Sequence, residues 1–390
     1  MRRFPAPHTA DVVMLGTFAA WRLGTLQARA LPIAQELRRR GLRVSIVTTP
    51  WDLPAERGVR EQIAGVQVLN TQHVGMLSAP WAIREQLAEL RRMSPRLVHL
   101  FKPRGFGGIT ARLLPAGLPL VVDSDDWEGD GGWNRFGSYT PLQRRVFDWQ
   151  ERDLIRRASI VTAASTLLEE RARRLRADKA AGSVVFVPNG LSIHRISRLA
   201  PSQGRSLLTE SSGHRIVIYS RFEEFPHDWL DRFVGALADL VDHVTHLILI
   251  GPRVAEVRGV GSVDVELMGY VSYEQIPALL QSASLAVVPL EDSLVGRSKQ
   301  SVKLLELMAA GVPIVAADVG DARQTVGEAG VMVAGSCPLR FARAVSALLN
   351  NPAQRTAMST AGPLRVRNHF TIEHVVNQVA PAYERCGLTL

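Results

Sequence analysis

Cysteine is almost missing: in 390 residues only Cys337 and Cys386 occur, so at most one disulfide can form. No C-x-x-C pair or Cys/His cluster at zinc spacing exists. Such usage suits a reducing cytosol. Long apolar runs are missing too, since no stretch approaches the roughly 18 uninterrupted apolar residues of a membrane helix. The start of the chain is broken by Pro5, Pro7 and Asp11 and leads into Arg22 without a convincing cleavage site, so no signal peptide is expected. Low-complexity tracts and solenoid-length repeats are absent. The expectation is a cytoplasmic protein, soluble or peripheral at the inner membrane face.

What is present is ordinary for a globular chain: 46% hydrophobic and 21% charged residues, which argues against disorder, collagen-like repeats and a long coiled coil. At roughly 150 residues per domain the length suggests two domains. The net charge of +9 is unevenly spread. Residues 1–190 hold 28 Lys and Arg against 18 Asp and Glu, and the remainder holds 18 against 19. A basic first half suits nucleic acid, an anionic membrane surface or an acidic substrate. The arginines are scattered over several helices and no recognition module is evident, so no nucleic-acid partner is expected. Arg144, Arg145, Arg152, Arg156 and Arg157 share one predicted helix with Phe147 and Trp149, a face that suits headgroups, although Trp149 itself is expected in the core.

Val- and Ile-rich runs alternate with amphipathic helices along the chain. DVVMLGTF, the helix LQARALPIAQELRRR, Gly41 as a stop and RVSIVTT make a βαβ unit. WAIREQLAELRRM, RLVHLF, LPLVVD, SIVTA and SVVFVPNG continue the pattern. After Asn189 and Gly190 the segment LSIHRISRLAPSQGRSLLTESSGH lacks periodicity and reads as a linker. A second set follows with RIVIYS, HLILIGP, VDVELMG, LAVVPL, VPIVAAD and GVMVAG. The fold class is therefore α/β, with two Rossmann-like domains whose parallel sheets are covered on both faces. Ligands are expected in a cleft outside the carboxyl ends of the strands. The boundaries fall at 1–192 and 205–370.

The most informative segment is RSKQSVKLLELMAAGVPIVAADVG. A helix from about Ser301 to Ala310 should stop at Gly311 with Pro313 just beyond. If it extends back to Lys299, then Lys299, Lys303 and Glu306 share one face. Two ammonium groups at a helix start favour a phosphate, and a carboxylate one turn on can receive two sugar hydroxyls. The pattern describes a nucleoside diphosphate with its ribose at Glu306; the bland alternative is a solvated amphipathic helix. A second unusual segment, VVDSDDWEGDGGWN, gathers Asp123, Asp125, Asp126, Glu128 and Asp130 with Trp127 and Trp133. Carboxylates this dense call for a cation, a metal or sugar hydroxyls, and tryptophan faces suit sugar rings. An N-capping and turn cluster is the plain alternative. His99 and Lys102, in VHLFKPRGFGG, stand at an expected strand end, where an acceptor or a phosphate is within reach.

The run KLLELMAAGVPIVA, PNG at 188–190, MGYVSYEQIPALLQSASLAVVPL and the early GTLQARALPIAQELRRRGLRV resemble, over nearly the whole chain and in the expected order, the retaining glycosyltransferases of family 4. That resemblance implies the GT-B fold of two facing Rossmann-like domains, with a terminal helix, about residues 371–390, packing back towards the first. It implies retaining transfer from a nucleotide diphosphate sugar, UDP-sugar by default, to a hydroxyl acceptor. The acceptor classes are a lipid-linked, saccharide or natural-product hydroxyl. Carried over by position, Glu306 is the ribose-binding glutamate and Lys303 and Arg221 are diphosphate contacts. Val271 falls where backbone meets the base, and Gly16 where it approaches a ligand, unless it serves only a tight turn.

Three departures stand out. Ser298 replaces the first motif glutamate, a lysine expected after Arg221 gives way to Pro226 and His227, and Leu191 and Ser192 follow PNG where an Asp is usual. Lys299 is the candidate for the missing charge. Asp125 aligns with the family's catalytic-centre histidine. The catalytic set is thus Asp125, Lys303 and Arg221. The donor set is Glu306, Lys299, Arg221, Lys303, Ser298, Val271 and Gly16, and the sugar or acceptor set is Asp125, Asp126, Trp127, Trp133, His99 and Lys102. Asp123-Ser124-Asp125 also matches the short metal motif D-x-D of the other glycosyltransferase fold. The phosphate-binding features lie in the second half, so no metal and no cofactor are expected. The alternative is a catalytically degenerate protein that holds a nucleotide or glycan.

Overall fold

The computed structural model describes residues 10–19, 25–137, 139–180, 182–201, 213–223, 225–226, 228–252 and 257–390. The expectations for the first nine residues, Arg22, His227 and linker residues 202–212 lie outside them. The chain divides into two units, Met1–Asn189 with Ile372–Leu390, and Gly190–Thr371.

In the first unit the strands are β1 (Val12–Gly16), β2 (Val44–Thr48), β3 (Arg60–Ile63), β4 (Val66–Asn70), β5 (Leu97–Phe101), β6 (Leu120–Ser124), β7 (Ile160–Ala163) and β8 (Val184–Phe186). Their spatial order is β3-β4-β2-β1-β5-β6-β7-β8. All pairs are parallel except the β3–β4 hairpin. Strand alternation splits the core in two. Val12 and Met14 face the helix Leu31–Arg39 and the last helix, Ile372–Arg385, while Val13 and Leu15 face the opposite layer with Leu90 and Leu154. Val375, Val376, Val379 and Tyr383 of the last helix are buried in the first of these layers.

The second unit holds β9 (His214–Tyr219), β10 (Thr245–Ile250), β11 (Val263–Gly269), β12 (Leu285–Val288), β13 (Ile314–Ala317) and β14 (Gly330–Val333). The sheet is wholly parallel in the order β11-β10-β9-β12-β13-β14. Chain order reverses between β9 and β12, so the outer ends of these two strands form the switch point where doubly wound sheets bind ligands.

Three expectations are corrected. The presumed linker begins with a helix, Ile193–Leu199, because Ser192 caps it by accepting from Arg195 N and Ile196 and Leu199 bury on the second unit's core. The helix bearing Glu306 runs Val302–Ala309 and does not reach back to Lys299, which caps a separate short helix, Leu294–Ser298, in an extended conformation. Trp149 is no core residue; it is about half exposed, with the Arg112 guanidinium 4.2 Å from its ring centre. It shares the Pro141–Arg157 helix with exposed Leu142 and Val146. No helix among the described residues is long and apolar enough to cross a membrane.

Candidate functional site

In the second unit a small pocket opens at the switch point. Tyr219 and Ser220 at the end of β9, Val287 to Leu290 along β12 and just past it, and Lys299, Ser301 and Lys303 line it. Lys299 and Lys303 thus share one pocket although they share no helix. Ser301 is the N-cap of the Val302–Ala309 helix, so that helix aims its first N–H groups near the two ammonium groups. Lys303 Nζ lies 5.1 Å from the centre of the Tyr219 ring. Gly311, at φ +67°, ends the helix as the sequence indicates.

Glu306 lies one turn past Lys303 and is buried. Its Oε1 accepts from Arg195 Nε at 2.8 Å and lies 2.7 Å from Arg195 Nη2. Arg195 is equally buried, donates through Nη1 to the Tyr273 carbonyl at 3.0 Å and sits 3.5 Å from the Tyr273 ring centre. The Tyr219 and Tyr273 phenols lie close enough to the Glu306 carboxylate to feel its charge. Burial and that carboxylate push both phenols well above their ordinary range, so both remain donors.

The other donor candidates are spread around this centre. Arg221 is exposed just past β9. Val271 is buried just past β11. Ser298 is wholly buried, and its hydroxyl donates to the Val295 carbonyl at 3.2 Å, so it stands within its own helical turn. Gly16 ends β1 in the first unit with no positive φ. A Cβ there would press on the Leu26 methyls at 2.8 and 2.9 Å, so the glycine lets that side chain pack close against the strand end.

In the first unit the Asp-rich loop turns out to carry its own counter-ions. Asp123, at the end of β6, is gripped by Arg29 through Nε at 2.7 Å and Nη2 at 2.9 Å. Arg29 also donates to the carbonyls of Val187 and Pro188 and to Asn189 Oδ1, tying the loop to the PNG turn. Burial alone would raise the Asp123 carboxyl, but Arg29 holds it below its usual range. Lys102, strained at φ +62°, places Nζ 3.3 Å from Asp125 Oδ1 and 2.7 Å from Glu128 Oε1 and pairs with Asp126. Arg104 takes the other Glu128 oxygen at 2.8 Å and packs among the rings of Phe18, Tyr139 and Phe147. Thr25 Oγ1 donates to Asp125 Oδ2 at 2.8 Å. Two cations thus face three carboxylates, and the excess negative charge falls on a buried group. Burial raises Asp125 to about 7, with Asp126 and Asp123 adding and Lys102 opposing. Lys102 is driven up by the same carboxylates against its own burial.

Asp125, Asp126 and Glu128 are close enough together to share a metal ion, but the Lys102 ammonium already sits against all three. Lys102 is therefore a counter-ion within the acidic loop. His99 does not reach a site. It lies wholly buried within β5, with Nδ1 2.8 Å from the Tyr383 hydroxyl, and burial lowers it to about 4. Trp127 is covered by Arg171 at 3.9 Å from its ring centre, and Trp133 packs on Phe136.

Arg29, Arg104 and Arg195 escaped notice in the sequence. Arg29 had a faint signal, one charge on the apolar stripe of Leu26, Ala30 and Ile33. Arg195 had none, since its partner lies 111 positions away.

Two family descriptions lie end to end on the chain: "Glycosyl transferase 4-like domain" matches residues 24–190 and "Glycosyl transferases group 1" matches 213–351. A 2-deoxystreptamine glucosyltransferase of Streptomyces kanamyceticus is 26% identical over 92% of this chain and 98% of its own length. A phosphatidyl-myo-inositol mannosyltransferase of Mycobacterium leprae is 26% identical over 55% of this chain, and the match spans only 56% of that relative. Among solved structures, sucrose-phosphate synthase of Thermosynechococcus elongatus superposes with a TM-score of 0.74 at 18% identity, covering 96% of this chain and 99% of that one. Anabaena HepE in complex with UDP and glucose gives 0.67 at 16% over the same shares. The chain is a glycosyltransferase of the family-4 type with the GT-B fold.

Proposed function

We propose that the protein transfers a sugar, with retention, from a nucleotide diphosphate sugar to a hydroxyl acceptor. The donor binds the second unit and the acceptor the first. The observation that carries this reading is the pocket at the switch point between β9 and β12, where Lys299 and Lys303 meet the N-terminus of the Val302–Ala309 helix. Those groups, with Arg221, stabilise the charge that builds on the departing diphosphate. Glu306 receives the ribose, and Val271 backbone meets the base. The leaving phosphate takes the acceptor proton in a front-face attack, so no nucleophilic carboxylate is required and Ser298 in place of a glutamate is compatible with turnover. UDP is the donor nucleotide by family resemblance, supported by the UDP in the HepE structure.

Asp125, with Asp126 and the loop tryptophans beside it, is the group proposed to meet the sugar or the acceptor from the first unit. Transfer runs without a metal in this reading, because a divalent ion at Asp125, Asp126 and Glu128 would have to displace Lys102. The acceptor is a lipid-linked, saccharide or natural-product hydroxyl. The two relatives named above are described by their names as acting on phosphatidyl-myo-inositol and on 2-deoxystreptamine.

Thermal unfolding tests the donor site. UDP, GDP, ADP and dTDP and their sugars are added in EDTA and then with manganese, to wild type and to Lys303→Ala. A nucleotide at 100 times its dissociation constant should add about 2.7 kcal/mol of stability to the wild type in EDTA, and clearly less to the variant. No shift with any nucleotide, with or without manganese, would remove the donor-site assignment. The anomeric configuration of the product then reports retention.

A further inference from the structure

Glu306 is not waiting open for a ligand. Its Oε1 accepts from Arg195 Nε at 2.8 Å and lies 2.7 Å from Arg195 Nη2. A carboxylate offers about four lone-pair positions, so a ribose diol is received beside Arg195 and not in its place. Arg195 is the partner that cannot leave. It is 3% exposed, its third nitrogen is held by the Tyr273 carbonyl, its face is stacked on the Tyr273 ring, and its own backbone N–H is fixed by the Ser192 cap. Separating it from Glu306 would strand a buried charge. Tyr219 lines the diphosphate pocket, and Tyr273 follows Val271 by two residues.

We propose that Arg195 is a positioning residue of the donor site. It holds the Glu306 carboxylate in the orientation that receives the ribose. This rests on the reading of Glu306 as the ribose-binding residue. The segment after the PNG turn thereby becomes part of the nucleotide site, although it touches the nucleotide only through Glu306.

The test compares UDP, GDP and ADP with their 2′-deoxy counterparts by titration calorimetry on wild type, Arg195→Met, Arg195→Lys, Glu306→Gln and the Arg195→Met/Glu306→Gln double variant. Wild type should prefer one ribonucleotide over its deoxy form by about tenfold or more, the scale of a hydrogen bond to a charged group. Arg195→Met should erase that preference while leaving the affinity for the deoxy nucleotide within about twofold, and the double variant should add no further loss. Arg195→Lys keeps the charge but cannot serve Glu306 and the Tyr273 carbonyl together, so it should lose most of the preference. If the methionine variant fails to fold, the lysine variant decides the matter. An undiminished preference in these variants, or equal weakening of both nucleotide forms, overturns the inference while the donor site stands. A wild type that binds no nucleotide, or binds ribo and deoxy forms alike, overturns the ribose reading and this inference together, and the failure shows before any variant is made.

Discussion

Asp125 and His99 lie in the same unit and titrate in opposite senses. Asp125 is raised from 3.8 to about 7, so the stability it contributes is fully present below its unfolded value and is lost as pH rises towards 7. His99 is lowered from 6.5 to about 4, so its contribution is present above 6.5 and lost as pH falls through 4. Over the shared window the two slopes offset one another. Asp125→Asn removes the falling component, and its unfolding free energy should climb more steeply with pH between about 4 and 6.5 than that of wild type. His99→Gln should do the reverse over the same window. Denaturant melts at half-unit pH steps check both. Parallel curves for wild type and Asp125→Asn would show that Asp125 does not carry the excess charge of the acidic loop. The sequence showed the density of acids in this loop but not the answer to it. Lys102 is 24 positions from Asp126 and Arg29 is 94 from Asp123, and only the adjacency of β1, β5 and β6 brings them together.

Secondary elements were legible where burial imposed a period and obscure where it did not. The inner strands of the second unit, β10, β9, β12 and β13, each read as a bounded apolar run, because parallel strands covered on both faces must be apolar, whereas the edge strand β11, VDVELMG, alternates and is largely exposed. The β3–β4 hairpin did not read so either, since Arg60–Ile63 is a polar edge strand that is exposed or half-buried. The helix Gly105–Arg112 was hidden by its glycines. Gly107 is required by contact, since a Cβ there would come within 3.0 Å of the Gly16 carbonyl oxygen. The helix Ile193–Leu199 is too short to display a period, and it is held by one cap, two buried apolar residues and the buried Arg195. Ser192→Ala should therefore cost about 1 kcal/mol of stability, the ordinary value of a lost N-cap. Because that cap holds the backbone of Arg195, nucleotide affinity should fall as well, by a few-fold and chiefly for ribose-bearing ligands. Calorimetric unfolding together with the ribo/deoxy comparison measures both. A stability loss with unchanged nucleotide preference would confine the cap to a structural role and leave Arg195 fixed by its side-chain contacts alone.

At the scale of the whole chain, the last helix belongs in space to the first unit although it follows the second in sequence. Ile372–Arg385 buries Val375, Val376, Val379 and Tyr383 against the layer that holds Val12, Met14 and Val121, and the Tyr383 hydroxyl meets His99 inside that layer. The second unit loses nothing of its sheet or pocket when this helix is removed, because β9 to β14, Lys299, Lys303, Arg195 and Glu306 all lie within Gly190–Thr371. A chain ending at Thr371 should therefore fail asymmetrically. The first unit would expose a large apolar face and leave His99 Nδ1 without the Tyr383 hydroxyl, so its unfolding transition should disappear or fall far below that of the full-length protein. The transition of the second unit should persist and should still rise with the nucleotide that stabilises the intact chain. Differential scanning calorimetry with and without that nucleotide separates the two transitions. One cooperative loss of both would mean that the units share their stability, and an undisturbed first unit would mean that its core is complete without the terminal helix.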